Sequence, residues 1–406
     1  MTWIKDIHYQ SSFKRPRSSE DCLYLSVFTP SNRDPKSKLP VMTFINGGGM
    51  LVWSASMYDG SALSANEDVV VVCIQYRLGL LGFYSTADNQ VHGNYGFKDQ
   101  LAALQWIQEN IAAFGGDPSS VTIFGTSIGG ISVSALVLSP LSKGLFHRAI
   151  AQSGAITMKD LVPSRSEDLI LLEKAVTILL GCDLASIADC LKKKEKELIA
   201  LVKAMDFPMV VHVDGDFLPK PVEEMLADKK IHKVPFIIGI NNQEFGWTTP
   251  LILNVTRIWE GMTRKAATLA LQKLLIAARN PKAIPFIIDE YLGDIVDPME
   301  IRERFLDLCS DAMYVIPALQ LAKHHRDAGL PVYFYEYQHP PSLLAHMRPG
   351  FMKADHSDEQ LFVFGGPFLR DGPLFAAEKG ENEQLQSRYR VKWFVQLRTI
   401  DDLSAG

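Results

Sequence analysis

Ser127 stands in Gly125-Thr126-Ser127-Ile128-Gly129-Gly130, directly after the β-branched run 121–124 and directly before an apolar, helix-forming stretch. That spacing is the layout of a nucleophile elbow, Gly-x-Ser-x-Gly, in which a sharp strand-to-helix turn lifts a serine hydroxyl above the end of a sheet. Glycines at 125 and 129 suit such a turn because the serine backbone is strained and neighbouring chain passes close by. A serine in this place lies at the positive end of a helix, where backbone N–H groups can stabilise a developing oxyanion. The same five residues also fit a plain glycine-rich turn between a strand and a helix.

Nucleophilic chemistry on a serine needs oxyanion donors, a general base, and an acid that orients the base. Gly47-Gly48-Gly49 follows a strand-like run at 40–46, upstream of the elbow, where bare backbone lets N–H groups approach a substrate oxygen. The triplet alone would read as a flexible turn. Of the ten histidines, His147, His212, His232, His324 and His325 sit in or beside helix and strand patterns and read as structural. His356 lies in the polar stretch 353–359, past the last strong strand, which is the place of the base in the chain order serine, acid, histidine. Glu244 falls just after the strand-like run 234–240, on the side where open parallel sheets form their sites. Asp216 and Asp311 compete for the acid role, but neither follows so clear a strand.

Strand patterns occur at 23–29, 40–46, 68–76, 121–124, 234–240 and 331–337, and the continuous apolar run inside 68–76 predicts a fully buried parallel strand. Helical spacing covers 101–114, stopped by Gly115-Gly116-Asp117-Pro118, and helical composition marks 167–201 and 264–278. Alternating strands and helices predict an α/β chain with a mostly parallel sheet. No repeat, low-complexity tract or long linker interrupts it.

The bulk properties narrow the partners. With 41 basic and 46 acidic residues and a net charge of −5, there is no electrostatic footprint for nucleic acid. The lysine runs 192–194 and 229–230 adjoin acidic residues and read as solvated faces. No segment reaches the roughly 18 consecutive apolar residues of a membrane span. Residues 1–17 are polar and basic, with no apolar core of a signal peptide. Among five cysteines, Cys182 and Cys190 bracket a short loop, open either to a disulfide in an oxidising compartment or to two helix-flanking thiols. Cys73 and Cys309 read as buried core thiols. Asn254-Val255-Thr256 is a glycosylation acceptor, relevant only to a secreted protein.

Residues 19–25 (Ser-Glu-Asp-Cys-Leu-Tyr-Leu), the glycine triplet, 121–130, 239–247 and 353–369 together resemble the type-B carboxylesterase family, most closely its mammalian-type liver and intestinal members. The resemblance runs over nearly the whole chain. It implies an α/β-hydrolase fold in one domain, residues 1–406, incomplete at both ends and with helical insertions near 160–205 and 255–330. It further implies Ser127 as nucleophile, His356 as base and Glu244 as orienting acid. Gly48, Gly49 and the N–H of Ile128 would form the oxyanion hole, and Cys182 would pair with Cys190. Small-molecule carboxylic esters, thioesters and amides would be the substrates, with no metal or cofactor. The family also implies an ER-lumenal or secreted protein, although neither a signal peptide nor an ER-retention tetrapeptide is legible.

Three positions near the site depart from the family's pattern. Asn46 replaces a histidine before the triplet, Thr126 a glutamate before the serine, and Ile128 an alanine after it, bringing branched bulk beside the expected acyl site. Two readings compete with an active esterase: a catalytically weak or inactive truncated isoform, and a non-catalytic binding or adhesion scaffold of the same fold.

Overall fold

The computed structural model describes residues 19–369 apart from 20, 35, 87–90, 159–173, 175–176, 179, 184–185, 195–210, 248, 250–252, 254–257, 275–279, 343–344 and 346–347. The acceptor Asn254 and most of the helical pattern at 167–201 lie outside the described residues.

Among the described residues, seven strands form one sheet in the order β1-β3-β2-β4-β5-β6-β7: β1 Leu25–Phe28, β2 Leu39–Ile45, β3 Val70–Ile74, β4 Gly116–Thr126, β5 Arg148–Gln152, β6 Phe236–Asn241 and β7 Val332–Tyr337. Of these strands only β1 runs antiparallel, against β3; every other pair among them is parallel, as the alternation of strands and helices predicts. Strand β3 is fully buried along its length, as its unbroken apolar run requires of a strand covered on both faces. Its side chains alternate between two cores. Val70, Val72 and Ile74 join the larger one, whereas Val71 and Cys73 join a smaller, aromatic-rich cluster with Phe44, Phe124 and Phe364.

β5 has no counterpart among the sequence-predicted strands. Its five residues, Arg-Ala-Ile-Ala-Gln, carry one β-branched side chain, so local propensity is weak. Pairing with β4 on one side and β6 on the other makes it a strand.

The helix predicted at 101–114 begins earlier, as α1 Tyr95–Asn110, and tightens into a 3-10 turn at Ile111–Phe114. Gly115 ends it at φ 83°, a left-handed conformation that glycine adopts without steric cost. Helix α2, Ile128–Leu138, is buried at every position and packs on β4, β5 and β2. Between β6 and β7 the chain builds α3 Arg264–Leu271, α4 Ile284–Leu292, α5 Pro298–Ser310 and α6 Ile316–Asp327. Asp297 caps α5 by accepting from the Met299 and Glu300 N–H groups, with Pro298 at the first helical position.

Helices α5 and α6 are joined through one π-helical turn, Asp311–Val315, into a continuous helix Pro298–Asp327. By length and composition it is apolar enough to cross a bilayer, but 56% of its most apolar window is buried inside the molecule, the mark of a core helix.

Candidate active site

Because β2, β4, β5 and β6 are parallel and in level register, their C-terminal ends share one edge: Ile45 pairs Gly125, Thr126 pairs Gln152, and Gln152 pairs Gly239. The glycine triplet, Ser127 and Glu244 all follow those ends within a few residues. Fold topology alone therefore gathers segments that lie between about 80 and 200 residues apart in sequence.

Ser127 caps α2 at φ 58°, ψ −124°, a region that a non-glycine residue occupies only under constraint. The constraint is visible on both sides. Its N–H donates to Gln152 O at 2.8 Å, and its carbonyl accepts the first helical bond from Ile131 N at 3.0 Å. Ser127 remains partly exposed while Thr126 and Ile128 are buried. The flanking glycines are required by contact. A Cβ on Gly129 would lie 2.0 Å from Ile45 O, one on Gly125 2.6 Å from Gly129 backbone, and one on Gly154 1.9 Å from Ser127 O. The elbow is thus wedged between β2 and β5 with no room for side chains.

The triplet lies against the elbow. A Cβ on Gly47 would meet Thr126 O at 2.8 Å and Ser127 Cβ at 3.1 Å. Gly48 and Gly49 take φ 107° and 64°, and Gly48 O accepts from Leu51 N and Val52 N, closing a tight turn. Asn46 is buried and bonds locally, its Nδ2 donating to Gly47 O at 3.0 Å.

Ile128 is 3% exposed and belongs to the larger core, so its added bulk beside the serine is taken up largely by packing. Ile128→Ala is accordingly expected to lose about 2–5 kcal/mol of stability, the usual range for emptying such a core position. Equilibrium denaturant unfolding of the two proteins measures it.

His356 and Glu244 meet directly: His356 Nδ1 and Glu244 Oε2 are 2.7 Å apart, with both residues buried. Glu244 is fixed at its other oxygen by Asn241 N–H at 2.6 Å, and its own N–H donates to Ser310 Oγ on α5. The acid loop and the histidine loop are stitched together bond by bond. Gln243 N–H donates to Ala354 O, Ala354 N–H to Asn242 Oδ1, and Lys353 N–H to Gln243 Oε1. Asp355 accepts from the N–H groups of Gly246, Trp247 and His356. Beneath them Asp358 holds Asp355 N–H and forms a bidentate, buried pair with Arg348 at 2.6 and 2.7 Å. Downstream, Phe364 packs edge-on against Phe44 at 4.8 Å, which fixes the loop's far end to the sheet.

The competing acids lie elsewhere. Asp216 pairs with Lys98 at 2.8 Å, and Asp311 accepts from Tyr291 Oη at 2.7 Å. His212, His232 and His325 bond backbone carbonyls, as structural histidines do. Cys182 and Cys190 form a disulfide, and Cys73 and Cys309 are buried.

Burial alone would depress the His356 pKa. The hydrogen bond and charge of Glu244, followed by the charges of Glu359 and Asp355, outweigh it and hold the imidazole above its ordinary 6.5. The protonated form is therefore favoured by the fold. That stability is fully present below the unfolded value of 6.5 and is lost as pH rises through the folded one. If His356 serves as a general base it must be neutral to act, so the acid limb of kcat/KM is then expected above the titration of a free imidazole, and a pH–rate profile locates it. Burial and neighbouring Asp358 push Asp355 up to about 7, against the pull of Arg348 and the N–H groups of His356 and Trp247.

Sequence reasoning missed Asn241, Asp355, Asp358 and Arg348. The polar density of 241–244 and 355–359 was the available signal for the first three; the bonds between those two stretches depend on a contact across more than a hundred residues, whereas Arg348 reaches Asp358 from ten residues away.

A mostly parallel sheet with a serine elbow after β4 and oriented His–Glu side chains past later strands defines an α/β-hydrolase. The profile of the Carboxylesterase family matches residues 2–396, and the chain belongs to that family. It is 45% identical over 391 residues to the medium-chain fatty acyl-CoA hydrolase precursor of Anas platyrhynchos, covering 94% of this chain and 68% of the relative. The acylcarnitine hydrolase of Mus musculus is 45% identical over 382 residues, 93% of this chain and 66% of the relative. The cocaine esterase of Homo sapiens is 45% identical over 390 residues, 95% and 68% respectively. The chain spans about two thirds of the length of these curated relatives.

Proposed function

We propose that this chain hydrolyses carboxylic esters through an acyl-enzyme on Ser127, with His356 as general base and Glu244 as the acid that orients it. The observation that carries this reading is the buried 2.7 Å contact between His356 Nδ1 and Glu244, which leaves Nε2 as the working nitrogen. In the first step Ser127 Oγ bonds to the ester carbonyl carbon while its proton passes to His356 Nε2. The carbon–oxygen bond to the alcohol then breaks, and the imidazolium returns the proton to the departing oxygen. Water repeats the sequence on the acyl-enzyme: its proton goes to His356, the acid leaves, and Ser127 is regenerated. The Glu244 carboxylate offsets the charge on the imidazolium. The N–H groups of Gly48, Gly49 and Ile128 are the proposed donors to the tetrahedral oxygen.

Substrates are proposed to be small-molecule esters, thioesters and amides, in keeping with relatives named for hydrolysing acyl-CoA, acylcarnitine and cocaine. A non-catalytic scaffold draws no support from such relatives. The Cys182–Cys190 disulfide favours an oxidising compartment, the ER lumen or outside the cell, where Asn254 would also be open to glycosylation. A fluorophosphonate probe tests the nucleophile: labelling is expected in the parent protein and absent in Ser127→Ala. Labelling that persists in the variant would place the reactive group elsewhere.

A further inference from the structure

Glu359 is a second buried carboxylate at this site, 2% exposed, that the proposed reaction does not use. It accepts three hydrogen bonds: Asn241 Nδ2 to Oε2 at 2.7 Å, Gln360 Nε2 to Oε1 at 2.8 Å, and Thr126 Oγ1 to Oε1 at 3.2 Å. Those donors come from different places. Thr126 is the last residue of β4, immediately before Ser127. Asn241 ends β6 and through its own N–H fixes Glu244. Glu359 itself lies three residues past His356. Asn241 Nδ2 also donates to Asp355 O at 2.6 Å, and Thr126 Oγ1 lies 3.5 Å from Ser357 Oγ, so the same two side chains touch the histidine loop twice more. One carboxylate thus joins the three segments that carry serine, acid and base.

We propose that Glu359 is a positioning residue for ester hydrolysis, clamping the ends of β4 and β6 to the histidine loop and adding a second buried carboxylate to the surroundings of His356. This inference rests on the proposed roles of Ser127, His356 and Glu244. Thr126 is the residue that makes the clamp reach the elbow, because a short hydroxyl at this position donates to the carboxylate instead of adding a like charge beside it. Charge matters as well as position: burial raises the Glu359 pKa, and the hydrogen bonds from Asn241 and Gln360 pull the other way, toward the ionised form. Among the groups facing His356, Glu244, Glu359 and Asp355 each favour its protonated form, Asp358 is engaged with Arg348, and the Tyr314 ring at 4.8 Å is held neutral by burial. Loss of one of these charges makes the imidazolium harder to form during proton transfer.

Glu359→Gln separates charge from shape. The new amide group fits the same space: Gln360 Oε1 is buried without a hydrogen-bond partner, and turning the Gln360 amide over lets it accept from the introduced NH2. The variant is expected to keep the parent's unfolding midpoint, to lose on the order of tenfold or more in kcat/KM, and to move its acid limb to lower pH. A role in packing alone would leave that limb in place. Thr126→Val, which removes only the hydroxyl, should move it in the same direction by less, since a buried carboxylate with fewer donors is more easily protonated. Should Glu359→Gln fail to fold, Thr126→Val decides on the same readout. An acid limb unchanged from the parent's overturns the inference. Fluorophosphonate labelling of the parent is run alongside. Labelling that does not depend on Ser127 sinks the hydrolase reading, whereas Ser127-dependent labelling with an unmoved limb sinks only the clamp.

Discussion

Ser127→Ala is expected to lower ester hydrolysis by on the order of a millionfold, with His356→Ala close behind and the double variant hardly worse than either. The two residues would act as one unit: without the hydroxyl there is nothing for the base to activate, and without the base the hydroxyl stays protonated. Glu244→Gln should be milder, because an amide at 2.7 Å from Nδ1 still occupies the site while losing the charge that supports the imidazolium. Its backbone anchors, Asn241 N–H to Oε1 and Glu244 N–H to Ser310 Oγ, bear on side-chain placement whichever group is present. Single-turnover kinetics with a p-nitrophenyl ester, at matched folded concentration, measure the series. Ester hydrolysis by Ser127→Ala near the parent rate would refute the assignment outright.

The elbow was legible in sequence because its requirements are local. Glycines at 125 and 129 answer contacts of 2.6 and 2.0 Å with backbone only a few residues away or on the neighbouring strand. The buried strand β3 was legible for the same reason, since five apolar residues in a row suit a strand covered on both faces. β5 was not, because its two alanines and terminal arginine prefer no particular state until β4 and β6 flank it. The supports of His356 were equally hidden. Asp355 looks like any surface carboxylate until the 246–247 N–H groups close on it, and Asp358 needs Arg348 to make its burial tolerable. Thr126 gave the opposite lesson. In sequence it marks the absence of an expected glutamate, whereas in the structure its hydroxyl meets Glu359, supplied by the histidine loop.

Gly48→Val should cost a hundredfold or more in kcat, the usual scale for losing one oxyanion donor, while Ser127 stays reactive enough to be titrated slowly. The turn admits no side chain there: at φ 107° a Cβ would stand 2.1 Å from Val52 O and 3.2 Å from Trp53 Cβ. Nor can the turn open cheaply, because Gly48 O already accepts from both Leu51 and Val52 N–H groups. The strain must be relieved by moving residues 48–49, the segment proposed to present N–H groups to the tetrahedral oxygen. Gly49→Ala is the control. Its Cβ would meet nothing within 4 Å, and φ 64° is a left-handed conformation that alanine tolerates at about 1–2 kcal/mol. If the triplet serves only as a turn, the two variants should differ in unfolding midpoint but share the parent's kcat. If it forms the oxyanion hole, Gly48→Val loses rate beyond anything its stability explains, and most of that loss falls on kcat because the donors engage the transition state more strongly than the ground-state carbonyl. A folded Gly48→Val protein with parent-like kcat would move the hole to other donors, and Ile128 N–H at the start of α2 would then be left to act without the triplet.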